Sequence, residues 1–237
     1  MLLSVVLPCY NEQDNLLALF DRLDTLAAKH DKLEIVLVNN GSTDSSAKVL
    51  EDALGKRNPS VFKVVNVEKN IGYGFGILSG LRASQGDILA ITHADRQTDP
   101  LDVLKALSIY ENQNNENILV KGFRRNRKVS EAVFSYGMGL LASLALGERL
   151  TEINAQPKLF SKVLFNKIEK DAPLDFSLDL YLIYQAKKRG KIIEFPVFFE
   201  KRIAGESKGG SGSSIKVKWK LIKRSFNYIF ELRRKIK

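Results

Sequence analysis

Four short apolar runs, Leu2 to Leu7, Leu33 to Val38, Phe62 to Val67 and Ile88 to Ile91, constrain the fold of this chain most. They alternate with segments of helical period, the clearest being the stripe Leu16, Leu19, Phe20, Leu23 and Leu26. Strand, helix, strand, helix requires a mostly parallel sheet with helices on both faces, because each crossover lays a helix over the strands it joins. Ser42, Thr43 and Asp44 read as the capped start of a second helix through Leu54, and Gly72 to Ser84 as a third.

The second half is less regular. A helix is expected from Pro100 to about Gln113, a strand from Ile118 to Gly122, and a long apolar helix from about Ser130 to Leu146. Asp175 to Arg189 looks helical and Lys191 to Glu200 extended, while the Gly/Ser-rich stretch Ala204 to Ser214 reads as a mobile loop. At 237 residues and 44% hydrophobic content the chain can bury a real core. No repeat is visible. The expected organisation is a single α/β domain over 1–214 followed by a basic helix over 215–237.

The net charge of +10 is uneven: residues 216–237 hold nine basic side chains and one acid, Glu231, so the rest is close to neutral. This pattern argues for a basic tail and against a nucleic-acid-binding face. One cysteine, Cys9, and two separated histidines are too few for a structural zinc site, and suit a reducing compartment. No apolar run reaches the roughly 18 residues that cross a bilayer. MLLSVVLP lacks the basic start of a secretory leader, so a chain that is neither exported nor membrane-spanning is expected.

In an open parallel sheet, ligands bind beyond the carboxyl ends of the strands. The first run exits into Pro8-Cys9-Tyr10-Asn11-Glu12, without the glycine-rich turn of a P-loop or dinucleotide site. The second ends in Asn39-Asn40-Gly41-Ser42-Thr43-Asp44, and the fourth in His93-Ala94-Asp95-Arg96-Gln97-Thr98-Asp99-Pro100. Between them stands Asn70-x-Gly72-x-Gly74. Over about residues 3 to 208 this order of motifs resembles the nucleotide-diphospho-sugar domain of family 2 glycosyltransferases with the GT-A fold. The branch it looks most like contains dolichyl-phosphate mannose synthase and related polyprenyl-phosphate sugar transferases.

The resemblance implies roles position by position. Pro8, Tyr10 and Glu12 match the turn that receives the nucleotide base; the same turn would also serve as a solvated bend with a helix-capping acid. Asn39 and Asn40 stand where many members carry aspartates, and would contact base or ribose as carboxamides. Gly72, with Gly74 and Gly76, would let backbone approach the nucleotide, or would only pack a helix start. Members hold a divalent cation with a D-x-D pair, which neutralises charge on the departing nucleotide. Here His93 replaces the first aspartate, leaving His93, Asp95 and Gln97 as candidate ligands, better suited to manganese or another transition metal than to magnesium. A direct hydrogen bond from His93 to the sugar or diphosphate is the other reading, and a structural histidine a third.

Arg124, at the family's G-x-R position, heads a basic cluster with Arg125, Arg127 and Lys128 that suits a phosphate, although Arg125 and Arg127 read better as surface charge. Glu131 occupies the expected place of a second phosphate-binding arginine, and Ser135 fits the serine a turn later. Gln156 and Lys158 are candidate polar contacts under the acceptor cleft, or parts of a buried turn packing Leu159 and Phe160. Asp175 and Asp179 stand at i and i+4, one helical face, with Asp179 preferred as general base for a hydroxyl acceptor. A phosphate acceptor needs no base. Arg202, with Gly205, Ser207 and Lys208, matches the segment that closes over the donor diphosphate.

Trp219, Ile222, Phe226, Ile229 and Phe230 recur at helical spacing among lysines and arginines, which fits a helix lying in an anionic membrane surface or one docked on the domain. The whole implies an inverting enzyme. It would move a sugar from a nucleoside-diphosphate sugar to polyprenyl phosphate at the cytoplasmic membrane face. Transfer to a saccharide hydroxyl and non-catalytic nucleotide-sugar binding are the rival readings.

Overall fold

The computed structural model describes residues 1–113, 115–126, 129–200 and 215–236. The chain runs β1 (Leu3–Cys9), α1 (Gln13–Lys29), β2 (Leu33–Asn40), α2 (Ser46–Leu54), β3 (Phe62–Val67), α3 (Tyr73–Ala83), β4 (Ile88–Ile91) and α4 (Asp102–Glu111). It continues with β5 (Ile118–Arg125), α5 (Val129–Leu146), β6 (Lys158–Ser161), α6 (Lys162–Ile168), α7 (Leu178–Arg189), β7 (Lys191–Phe198) and α8 (Ile215–Ile236). The seven strands form one sheet of order β3-β2-β1-β4-β6-β5-β7. Parallel pairing joins β1 to β2 and β4, β2 to β3, and β5 to β7; β6 runs antiparallel between β4 and β5. The four expected strands and the mostly parallel sheet are all present.

Strand side chains alternate between faces, so each face builds its own core. Val5, Leu7, Ile35 and Leu37 point toward the α1 stripe and α4, packing on Leu16, Leu19, Phe20, Leu23, Val103 and Ala106. Val6, Val36 and Val38 point the other way, toward Ile77, Leu78 and Leu81 of α3 and the buried residues of α6 and α7. Such burial on both faces is why the central strands read as continuous apolar runs rather than as alternating ones. Order reverses between β1 and β4: α1 carries the chain to β2 on one side, and α3 brings it back to β4 on the other. The crevice at their carboxyl ends is the topological switch point.

Several expected boundaries move. The second helix begins at Ser46, not at Ser42, and Ser45 at its N-cap makes no side-chain capping bond. Gly41, at φ 67°, turns the chain instead, and residues 42–44 tie the exits of β1 and β2 together. Asn11 N donates to Ser42 Oγ (3.2 Å), Thr43 N to Asn11 Oδ1 (2.8 Å) and Ser46 N to Asp44 Oδ1 (2.9 Å). Residues 158–161, for which a buried turn is one of two readings, form β6, and β5 extends through Arg124, which is therefore a strand residue. Asp175 lies outside α7: its carboxylate accepts from Ser177 N (2.7 Å) in a turn before the helix, so the one-face pairing with Asp179 does not hold.

α8 forms as expected and docks on the domain through its second half, where Ile229 and Leu232 are buried in the α5–α7 core. Phe226 and Phe230 remain exposed. The side chains of Trp219 and Ile222 lie outside the described residues, as do Arg127, Lys128 and the side chain of Glu131. Among the described residues no helix is long and apolar enough to cross a membrane.

Candidate active site

Two strand exits form one wall of the crevice. Pro8 and Tyr10 are half-buried, and Asn11 adopts φ 54° to turn the chain into α1. Glu12 is buried rather than solvated: its carboxylate accepts from Asn15 Nδ2 (2.6 Å), and its backbone N donates to Ser46 Oγ (2.9 Å). Asn39 uses both ends of its carboxamide, donating to Asn66 Oδ1 (3.1 Å) and accepting from Ser42 N (3.2 Å). Asn40 faces the other way. Its Nδ2 donates to the Gly72 carbonyl (3.1 Å), while its buried Oδ1 has no hydrogen-bond partner in the structure.

The glycines have a packing reason. Gly72 sits at φ 152°, and a Cβ there would lie 2.2 Å from the Leu174 carbonyl oxygen. At Gly76 a Cβ would lie 2.7 Å from the Asn40 carboxamide carbon. Side-chain-free backbone thus lets the start of α3 press against both β2 and the turn before α7. That contact aligns Tyr73, whose ring stacks on Phe176 (4.8 Å between centroids, 6° between planes) and lies 6.3 Å from His93. The Tyr73 hydroxyl is buried, and burial, assisted by the Asp179 charge, raises its pKa, so it remains a proton donor.

His93 follows β4. Burial lowers its pKa against the opposing pull of Asp95 and Asp179, with Lys158 and Arg124 adding to the fall, so the imidazole is neutral at pH 7. Beneath it, Lys158 and Asp179 form a fully buried ion pair at 2.6 Å. Gln156 Nε2 donates to the same Asp179 oxygen (3.1 Å), and Lys158 also donates to the Ala155 carbonyl (3.0 Å). Burial pushes the Lys158 ammonium down in pKa while Asp179 holds it up.

The far wall pairs each of its cations with an acid. Arg124 donates to Glu152 (2.7 Å) with its guanidinium 5.5 Å from the Phe199 ring centre. Lys121, 1% exposed, lies opposite Lys158 in register and pairs with Glu194 at 2.7 Å. Burial brings its pKa down to about 8. Asp95 Oδ1 accepts from Gln97 N (3.1 Å). Gln97 in turn exchanges bonds with Glu200: its Nε2 donates to the Glu200 carbonyl (3.3 Å), and Glu200 N donates to the Gln97 carbonyl (2.9 Å). Those bonds hold the chain beside Asp95 just before the segment carrying Arg202 and Lys208, which lies outside the described residues.

Among the described residues no three His, Cys, Asp or Glu side chains cluster as a metal cage. His93 and Asp95 nevertheless offer a neutral imidazole and a carboxylate on one loop. That donor set suits a transition-type divalent cation. Asp99, by contrast, is engaged by Arg22 and by Leu101 N.

The structure thus gathers Pro8, Tyr10, Glu12, Asn40, Gly72, His93 and Asp95 around the β1/β4 switch point, with Arg124 across it and Asp179 below. Asn39 serves the β2–β3 link. Sequence reasoning missed Tyr73, Phe176, Lys121 and Glu152. Tyr73, inside the glycine motif, and Phe176, inside the Asp175–Asp179 segment, had a signal; Lys121 and Glu152 had none.

A crevice of this kind at the switch point of an open mixed sheet is where α/β proteins of this architecture bind their ligands. The glycosyl transferase family 2 pattern matches residues 4–172, and the chain belongs to that family. It is 36% identical over 110 residues to undecaprenyl-phosphate 4-deoxy-4-formamido-L-arabinose transferase of Pseudomonas savastanoi pv. phaseolicola, covering 46% of this chain and 32% of that protein. It is 28% identical over 215 residues to dolichol-phosphate mannosyltransferase of Pyrococcus furiosus, covering 88% of this chain and 59% of that protein. The match therefore spans from about a third to somewhat over half of these relatives' lengths. Glucosyl-3-phosphoglycerate synthase of Mycobacterium tuberculosis, solved with uridine diphosphate, superposes with TM-score 0.73 at 21% identity, over 98% of this chain and 80% of that one. The same enzyme solved with Mn2+, UDP-glucose and phosphoglyceric acid gives 0.71 at 19% identity, over 98% and 79%. The GT-A fold is shared.

Proposed function

We propose that the chain is an inverting transferase that moves a sugar from a nucleoside-diphosphate sugar to polyprenyl phosphate at the cytoplasmic membrane face. The observation that carries this reading is the convergence, across one crevice, of the β1 turn, the His93/Asp95 loop and Arg124. Pro8, Tyr10 and Glu12 shape the seat of the base, Asn39 and Asn40 brace it through their carboxamide bonds to Asn66 and the Gly72 carbonyl, and Gly72 lets backbone line the nucleotide. Asp95, His93 and Gln97 meet the diphosphate; a divalent cation bound there supplies charge neutralisation to the leaving nucleotide. Arg124, Arg202 and Lys208 balance phosphate charge on donor and acceptor.

In the reaction an acceptor phosphate oxygen attacks the anomeric carbon from the face opposite the diphosphate. The sugar–diphosphate bond breaks, its electron pair leaves with the nucleoside diphosphate, and the anomeric configuration inverts. No proton needs removing from a phosphate that is already anionic. Asp179 supports this choice of acceptor: engaged by the Lys158 ammonium and the Gln156 amide, it acts here as a positioning residue beneath His93 rather than as a base for a hydroxyl. Incubation with sugar nucleotides and either polyprenyl phosphate or polyprenol tests the proposal. A phosphate-linked lipid sugar formed only from the phosphate is expected. Product from the alcohol alone, or nucleotide binding without turnover, would overturn it.

A further inference from the structure

α5 carries an apolar stripe that no described residue covers. Val129, Val133, Tyr136, Leu140 and Leu144 recur at helical spacing, so they share one face, and all are exposed, Val129, Tyr136 and Leu144 by more than 70%. Scattered exposed apolar residues are ordinary, but a continuous stripe along about four turns of helix is not. The opposite face of the same helix, with Ala142 and Leu146, is buried in the core. The stripe starts directly beyond the strand that carries Arg124, and Phe123 and Phe198 stand exposed at the ends of β5 and β7.

The neighbouring helix supplies the charge. α8 packs beside α5 and presents Lys223, Arg233 and Arg234 to solvent, with Phe226 and Phe230 in ring contact (5.1 Å) among them, while Arg224 is engaged by Asp175. Because Ile229 and Leu232 are already buried against the domain, the apolar face available to a partner among the described side chains belongs chiefly to α5. An apolar stripe flanked by cations matches one surface in particular, an anionic bilayer. Its acyl boundary accepts the apolar face while its headgroups meet the cations.

We infer that the exposed face of α5 is the membrane-contacting surface of this protein, with α8 as its cationic flank. The inference rests on the proposed function for its purpose: a lipid phosphate entering from the bilayer along α5 arrives at Arg124. Vesicle co-sedimentation of the full chain with phosphatidylglycerol-containing and purely phosphatidylcholine vesicles, free of polyprenyl phosphate, tests it. Binding to the anionic vesicles is expected, weakened about tenfold or more by Val133→Glu/Leu140→Glu and separately by Leu144→Glu. Leu17→Glu, at an exposed apolar position on α1, should leave binding unchanged. Circular dichroism and nucleotide-induced thermal shifts should match the parent in every variant.

Equal binding by parent and α5 variants, equal weakening by Leu17→Glu, or no preference for anionic vesicles would overturn the inference. So would a dimer in light scattering that the α5 substitutions dissociate, since a second copy would then be the occupant. Failure of the proposed transfer reaction looks different: vesicle binding would persist, with its α5 dependence, while no lipid-linked sugar formed.

Discussion

Lys158 carries an ammonium into the interior beneath the crevice, and Asp179 is what makes that tolerable. A buried pair of this kind adds little by being present, but removing one partner strands a charge out of water. Lys158→Met is therefore expected to lower unfolding free energy by about 3–5 kcal/mol in urea titration, and Lys158→Met/Asp179→Leu to restore most of it. Near-equal stability of the single variant and the parent would mean that water reaches Asp179. Lys121 makes a pH prediction. Its folded pKa of about 8 lies below its ordinary 10.5, so the folded state sheds this proton first as pH rises. Stability attributable to Lys121 should rise between about pH 8 and pH 10.5 and be flat below. Comparing denaturation of the parent and Lys121→Met across that window reads the slope, which the variant should lack.

The start of α3 shows how an element is held by backbone contact alone. Gly72 meets the Leu174 carbonyl at a φ that side chains avoid, so Gly72→Ala should cost about 1–3 kcal/mol from strain at that position, plus the clash. Its thermal midpoint should fall, and nucleotide binding with it, because Tyr73 and the Asn40 bond move together; an unshifted midpoint would contradict this packing. The glycine motif was legible in the sequence, but its reason was not, since the turn it presses against lies a hundred residues downstream. The strand exits at Pro8, Asn39 and His93 were legible because doubly covered strands advertise themselves as apolar runs. β6 was hidden by Lys158, a charge in a fully buried position that breaks the strand pattern and is explained only by Asp179. Asp175 and Asp179 looked equivalent at helical spacing. A turn at Asp175, closed by its own carboxylate on Ser177 N, separated them.

At the scale of the molecule, the carboxyl ends of the central strands hold the described residues that the proposed reaction uses, and one outer layer, α5 with α8, holds what would bring it to a lipid. The two meet at Arg124. Arg124→Ala should leave the base seat intact, so nucleotide binding should weaken only modestly while transfer to polyprenyl phosphate falls by about 100-fold or more. Unaltered transfer would remove Arg124 from the phosphate path. The most direct test of the central claim, that the crevice at β1 and β4 takes a nucleoside-diphosphate sugar, is calorimetric titration with UDP, GDP and CMP in Mn2+ or EDTA, on the parent and Asp95→Asn. One nucleoside diphosphate should bind, more weakly in EDTA, and the Asp95→Asn variant should lose the difference between the two conditions. No binding by any of the three to the folded protein, or binding unaffected by both EDTA and Asp95→Asn, would contradict the account.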